Sequence, residues 1–242
     1  MIIPEGTVLD TLYIVMPAYN EEDNIIDVVS SWYPILEGKD PASRLVVADS
    51  GSVDRTHELL EMFKKDHPQL EILSETGKQH GPKVIALYDY SIKNGADFIF
   101  QTDSDGQTLP EEFDAFWQMR HGYNGIFGHR AVRGDGKSRA FVEKVVCFLL
   151  KLYFHVKVPD ANAPFRLMNA QTVAKYLPKL DKDYNLPNIM MTTYFVHYGE
   201  EYAFREVTFR PRQGGTNSIN IKKIVKIGWK ALGDFRRLKK AM

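Results

Sequence analysis

Two aspartates stand one residue apart in Gln101-Thr102-Asp103-Ser104-Asp105-Gly106-Gln107, directly after the apolar run Phe98-Ile99-Phe100. Carboxylate oxygens are hard ligands suited to Mg²⁺ or Mn²⁺, and Mg²⁺ typically takes one or two of them and fills its shell with phosphate oxygens and water. The alternative for the same seven residues is a polar turn rich in turn formers. A second polar cluster is Pro17-Ala18-Tyr19-Asn20-Glu21, where Tyr19 offers a ring face to a base and Asn20 and Glu21 offer hydrogen bonds to a ligand's polar edge. The alternative there is a helix start capped by Asn20 or Asp23. A third is Asp49-Ser50-Gly51-Ser52-Val53-Asp54. Asp49 suits the imino hydrogen of a nucleobase or a ribose hydroxyl, while Gly51 permits a tight turn and Ser52 or Asp54 can cap the next helix.

These clusters need a scaffold, and the flanking sequence supplies one. Leu12–Met16, Leu45–Ala48, Glu71–Leu73 and Asp97–Phe100 read as buried strands. Helical stretches run over Glu22–Leu36, Asp54–Lys65 and Lys83–Lys93, and Pro110 opens another. Strands alternating with helices predict a mostly parallel sheet covered on both faces. Ligands of such sheets bind beyond the carboxyl ends of the strands. All three clusters follow strand ends, so acidic groups are expected to converge on one edge. That edge favours a cation or an uncharged hydrogen-bonding ligand over a bare anion. Further on, Phe141–Phe154 reads as an apolar helix, and Phe165–Met168 and Tyr202–Phe209 as short strands.

Composition narrows the class. The chain has 242 residues, 31 basic and 31 acidic, so no basic excess marks a nucleic-acid binder. Its one cysteine, Cys147, precludes an internal disulfide, argues against a thiolate zinc site and fits a reducing, cytoplasmic compartment. The first residues, MIIPEGTVLD, lack the pattern of a signal peptide. No apolar run reaches the roughly 18 residues of a spanning helix.

In order and spacing, VMPAYNEEDNI, VVADSGSVDRT and QTDSDGQTLPE resemble the three consecutive signatures of glycosyltransferase family 2, across roughly the first 130 residues. The resemblance implies a GT-A fold, that is, a Rossmann-like α/β domain with a mostly parallel sheet flanked by helices. It implies an inverting hexosyltransferase using a nucleoside-diphosphate sugar, UDP- or GDP-linked, with Mg²⁺ or Mn²⁺. By the same resemblance Pro17, Tyr19 and Glu21 line the nucleotide pocket, Asp49 meets the base, and Asp103 and Asp105 form the metal-dependent D-x-D element, with Asp105 acting in catalysis. Lys83, in GPKVIAL, falls near the family's glycine- and lysine-rich loop.

Downstream, DANAPFRLMN is similar to the FRLM element of the dolichol- and polyprenol-phosphate mannose synthase branch, which makes Arg166 a site residue. Pro164 stands where many members carry Asp or Ser, and Asp160 is the nearest carboxylate for a base; its alternative is a plain loop residue. Arg210, Arg212 and Ser218, in FRPRQGGTNSINIKK, resemble that branch's acceptor-phosphate segment, and paired guanidiniums suit phosphate. A solvated basic turn or a structural salt bridge are the alternatives for these arginines.

From Lys222 to Met242 there are eight Lys or Arg against one acid, Asp234. Ile221, Ile224, Val225, Leu232 and Phe235 recur at helical spacing, with Trp229 beside them. A basic amphipathic helix of this kind suits an anionic membrane surface, or else packs on its own domain. The expected organisation is a transferase domain over 1–218 and the helix over 219–242. The expected reaction is transfer to a polyprenyl-phosphate or lipid-linked acceptor, with the protein peripheral at the inner membrane face. The rivals are transfer to a saccharide hydroxyl and a non-catalytic nucleotide-sugar-binding scaffold.

Overall fold

The computed structural model describes residues 9–131, 137–211 and 233–239. In chain order they form β1 (Leu12–Ala18), α1 (Ile25–Trp32), β2 (Arg44–Asp49), α2 (Thr56–Lys64), β3 (Leu70–Leu73), α3 (His80–Lys93), β4 (Phe98–Gln101), α4 (Phe113–Trp117), β5 (Gly125–His129), α5 (Lys137–Phe154), β6 (Arg166–Asn169), α6 (Ala170–Tyr176), α7 (Pro187–His197) and β7 (Tyr202–Glu206). A last helix covers 233–239.

One seven-stranded sheet carries the molecule, in the order β3-β2-β1-β4-β6-β5-β7. β3, β2, β1 and β4 run parallel, β6 is antiparallel to both β4 and β5, and β7 is parallel to β5. Every strand except β6 therefore ends on the same edge. The chain steps outward from β1 to β3 and then returns to the other side of β1 with β4. That reversal opens a crevice between the ends of β1 and β4, the place where such sheets bind ligands.

β1 is buried along its whole length, because LYIVMPA presents apolar atoms to both faces. Tyr13 and Val15 face one core, with α3, α6 and α7 above them. Leu12, Ile14 and Met16 face the other, with α1, Leu60 of α2, and α4. An aromatic cluster closes the second core, where Phe165 meets Phe100 edge-on at 4.7 Å and Phe116 at 4.8 Å.

The predicted strands match within about two residues, but the predicted helix over Glu22–Leu36 is a shorter α1 followed by a 3₁₀ turn at Tyr33–Leu36. Pro34 lies in that turn and lacks the N–H an α-helix would need. The segment at Pro110 likewise begins as a 3₁₀ turn before α4. Tyr202–Phe209 is a strand only to Glu206.

One glycine fixes how α3 meets the rest. A Cβ on Gly81 would lie 2.2 Å from the Tyr184 carbonyl oxygen and 2.6 Å from the Asn185 Cα. The first turn of α3 thus rests directly on the 184–185 backbone. Gly81→Ala is expected to cost about 1–3 kcal/mol through overpacking against backbone that cannot swing aside. Urea unfolding checks this, and a midpoint equal to wild type would show that the two backbones can separate freely.

Candidate active site

β1 and β2 end on the crevice edge, and their loops lock together. Asn20 has a left-handed backbone (φ 53°), which turns its side chain back so that Oδ1 accepts the Val53 N–H at 2.9 Å. Its own N–H donates to Ser52 Oγ at 3.0 Å, and the Glu21 N–H donates to Thr56 Oγ1 at 2.8 Å. Glu21 is buried and accepts from Asn24 Nδ2 at 3.1 Å. Tyr19 is left 45% exposed, a ring face available to a ligand.

Asp49 ends β2 with a buried carboxylate. Ser52 Oγ donates to one of its oxygens, and His57 Nδ1 lies 3.3 Å from the other. Lys83, one turn into α3, is also buried; its ammonium donates to the Ala18 carbonyl and stands 5.2 Å from the Tyr19 ring centroid. The expected nucleotide-pocket residues Pro17, Tyr19, Glu21, Asp49 and Lys83 are therefore brought together.

Burial lowers the Lys83 pKa to about 8, against the pull of Asp49. The unfolded lysine titrates near 10.4, so between about pH 8 and 10 the unfolded chain binds the extra proton. Stability from this group is expected to rise with pH across that window. Lys83→Met should flatten the rise in urea midpoints; an unchanged slope would show that Lys83 titrates normally.

β4 supplies the second half. Ser104 Oγ donates to the Pro17 carbonyl at 2.9 Å, so the Asp103–Asp105 turn is pinned to the end of β1. Thr102 and Thr108 join hydroxyls at 2.6 Å across the base of the turn, and Gly106 takes φ 70° at its tip. Asp103 and Asp105 are each partly exposed. His80, at the start of α3, is exposed and lies near Lys83, Arg166 and Asp105. Desolvation, with Lys83 and Arg166 nearby, lowers its pKa to about 4 against the opposing effect of Asp105. At neutral pH it offers the cleft one N–H donor and one acceptor nitrogen.

Sequence reasoning missed His80 and left Gln107 without a role. The Gln107 side-chain amide donates to the Arg210 carbonyl at 2.7 Å, while its backbone carbonyl accepts the Arg210 N–H at 2.9 Å. The Thr208 N–H adds a bond to Glu112 at 3.0 Å. The segment after β7 is thus fastened beside the aspartate turn, and Arg210 comes to the site edge. Arg212 and Ser218 lie outside the described residues.

Asp160 and Arg166, expected as catalytic groups, are both buried and engaged by protein partners. Asp160 is buried and receives a two-pronged bond from Arg130, at 2.7 Å from Nε and 2.9 Å from Nη2. Its Oδ1 also accepts the Asn162 N–H at 3.1 Å. All five donors of the buried Arg166 guanidinium have acceptors: the carbonyls of Ala161, Ala163 (twice) and Asn188, and the Thr192 hydroxyl. Burial lowers its pKa, offset by Tyr88, Asp160 and Asp103. It clamps the 160–165 loop against α7.

Asp103 and Asp105 offer two hard carboxylates, and no group of three or more metal-ligating residues occurs among the described residues. Such a partial shell fits Mg²⁺ or Mn²⁺ completed by phosphate oxygens and water.

The sequence profile of Glycosyl transferase family 2 matches residues 13–236. The chain belongs to this family. An uncharacterized glycosyltransferase of Synechocystis is 27% identical over 220 residues, covering 88% of this chain and 65% of that protein. The chain thus spans slightly less than two thirds of that relative. The polyprenol monophosphomannose synthase of Mycolicibacterium smegmatis is 23% identical, covering 86% of this chain and 80% of that protein. Among solved structures, glucosyl-3-phosphoglycerate synthase from Mycobacterium tuberculosis, in complex with Mn²⁺, UDP-glucose and phosphoglyceric acid, superposes with a TM-score of 0.68 at 15% identity, covering 96% of this chain and 80% of that one. This likeness shows the family's α/β fold, as the three strand-end signatures led one to expect.

Proposed function

We propose that this protein transfers a sugar, with inversion, from a nucleoside-diphosphate sugar to a polyprenyl-phosphate acceptor at the inner face of the membrane. The observation that carries the reading is the meeting, at the β1/β4 crevice, of Tyr19, Asp49 and Lys83 with the paired carboxylates Asp103 and Asp105. The first group suits a nucleoside and the second a diphosphate held through a divalent cation. When bound, that cation offsets the negative charge that builds on the leaving diphosphate. Asp103 and Asp105 would hold it, and Ser104 keeps their turn in place through Pro17.

The fate of Asp160 bears on the acceptor. A sugar hydroxyl needs a base to remove its proton, whereas a phosphate is already ionised near neutral pH. A carboxylate engaged by Arg130 at 2.7 and 2.9 Å is poorly placed to serve as that base, which favours a phosphate acceptor. The named mycobacterial relative, a polyprenol monophosphomannose synthase, agrees with this choice. Arg210, held at the site edge by Gln107, is the one of the three expected acceptor-phosphate residues that lies among the described residues.

A thermal-shift screen of UDP- and GDP-sugars with Mn²⁺ tests the donor half, since a ligand of the native state raises its melting point. A labelled donor that shifts the protein is then offered polyprenyl phosphate or an oligosaccharide. Label in the lipid fraction supports the reading. No shift with any donor, or label only in the oligosaccharide, overturns it.

A further inference from the structure

Nine large apolar side chains are exposed among the described residues, and four of them, Phe141, Val145, Phe148 and Leu152, lie on α5. Their spacing of four, three and four residues puts them in one stripe along the helix. Phe148 is 64% exposed and Leu152 60%, although Leu150 and Phe154 of the same helix are fully in the core. Scattered apolar residues on a surface need no explanation, but a continuous stripe does.

Among the described residues of α5, the exposed charges beside the stripe are lysines. Lys144 and Lys151 are exposed between its members. The one acid of α5, Glu143, is turned inward, where it accepts the Ala161 N–H at 2.8 Å and faces Arg130 at 3.7 Å. Just beyond the helix, Lys157 is exposed. The helix at 233–239 packs Phe235 on Phe154 at 5.5 Å and so brings exposed Arg236 and Lys239 to the same end. Arg237 is there too, paired with Asp181 and Asp234.

We infer that the outward face of α5, with the basic residues at its C-terminal end, is the surface by which this protein seats on an anionic lipid bilayer. An apolar stripe flanked by lysines matches an acyl–headgroup boundary, in which the rings enter the apolar layer and the ammonium groups meet lipid phosphates. A second copy of the chain fits less well. Two such faces related by a two-fold axis would set lysine against lysine, with no exposed acid on α5 among its described side chains to compensate. The stripe also begins on the edge of the sheet that bears the site. Glu143 reaches Arg130, the residue directly after β5, and β5 ends on that edge. The inference rests on the reading of a membrane-borne acceptor and assigns it a docking surface.

The test is sedimentation of the full chain with phosphatidylcholine vesicles, with and without phosphatidylglycerol. The wild type is expected to sediment with the phosphatidylglycerol vesicles. Lys144→Gln with Lys151→Gln should weaken that binding roughly tenfold or more, the electrostatic share of two cations near a charged surface. Phe148→Ser with Leu152→Ser should weaken binding to both kinds of vesicle. The replaced side chains are exposed, so melting points and donor-induced thermal shifts should stay as in wild type. Sedimentation equal to wild type for both variants overturns the inference, as does a wild type that never leaves the supernatant. A wild-type dimer that Phe148→Ser dissolves also overturns it, and gives the face to a second copy. Donor shifts are read without lipid and vesicle binding without donor, so each proposal can fail alone.

Discussion

Asp105→Ala is expected to lower sugar transfer by roughly three orders of magnitude, with the melting point close to wild type. Asp105 is partly exposed, and although its Oδ1 accepts the Gln107 N–H at 3.2 Å, its turn is also held by the Ser104 bond to Pro17, the Thr102–Thr108 pair and the Gln107–Arg210 tie. Removing the carboxylate should leave the turn in place. On the proposed reading, what would be lost is one of two hard oxygen ligands, and with it much of the charge offset at the leaving diphosphate. Asp105→Asn keeps shape and hydrogen bonding but not charge, so it should resemble alanine in rate. Turnover of the donor identified by the thermal-shift screen, measured across a Mn²⁺ titration, checks both variants. Wild-type turnover in Asp105→Ala would remove the metal role from this pair.

The second large effect is on stability and lies at Asp160. Asp160→Ala is expected to cost about 3–5 kcal/mol, because it leaves the Arg130 guanidinium buried without its principal partner. Replacing both, as Arg130→Met with Asp160→Leu, should recover much of the loss, since the desolvation of two charges disappears with the pair. Urea unfolding of the two single variants and the double variant measures this. Turnover per folded molecule in Asp160→Ala should stay within a few-fold of wild type, as expected for an acceptor that needs no base. A variant that folds like wild type and yet transfers nothing would return Asp160 to the chemistry.

The parts of the fold that were legible are those whose burial is uniform. β1, β2 and β4 are covered on both faces, so their sequences are short unbroken apolar runs between turn formers. β5 escaped notice because GIFGH has glycine at two of its five positions. The structure explains both glycines by crowding. A Cβ at Gly125 would meet the Phe195 ring at 2.7 Å, and one at Gly128 would meet the Phe165 carbonyl oxygen at 2.9 Å. α7 was missed for the opposite reason. PNIMMTTYFVH is buried almost all round, so it carries no helical alternation to read.

The site was legible where one local stretch does one job. Tyr19 and Asp103–Asp105 follow β1 and β4, Asp49 ends β2, and strand order alone brings these ends together. Asp160 and Arg166 were not legible in this way. Their partners lie on other elements, at Arg130 and on α7, and only the folded chain shows that the acceptors and donors are already matched. His80 had a weak local signal, three residues before Lys83 in HGPK, but only the folded chain brings it near Arg166 and Asp105.

The tie between Gln107 and Arg210 bears on how freely such a chain can be recombined. The residues are 103 positions apart, yet each supplies the other with a hydrogen bond. A chimera that joins the first 130 residues to another protein's C-terminal half would inherit Gln107 with a stranger opposite it. On the proposed reading, donor recognition and acceptor recognition are then not separable cassettes. An exchange of acceptor specificity would then have to move the segment after β7 and the aspartate turn as one unit, or re-create their match at both ends.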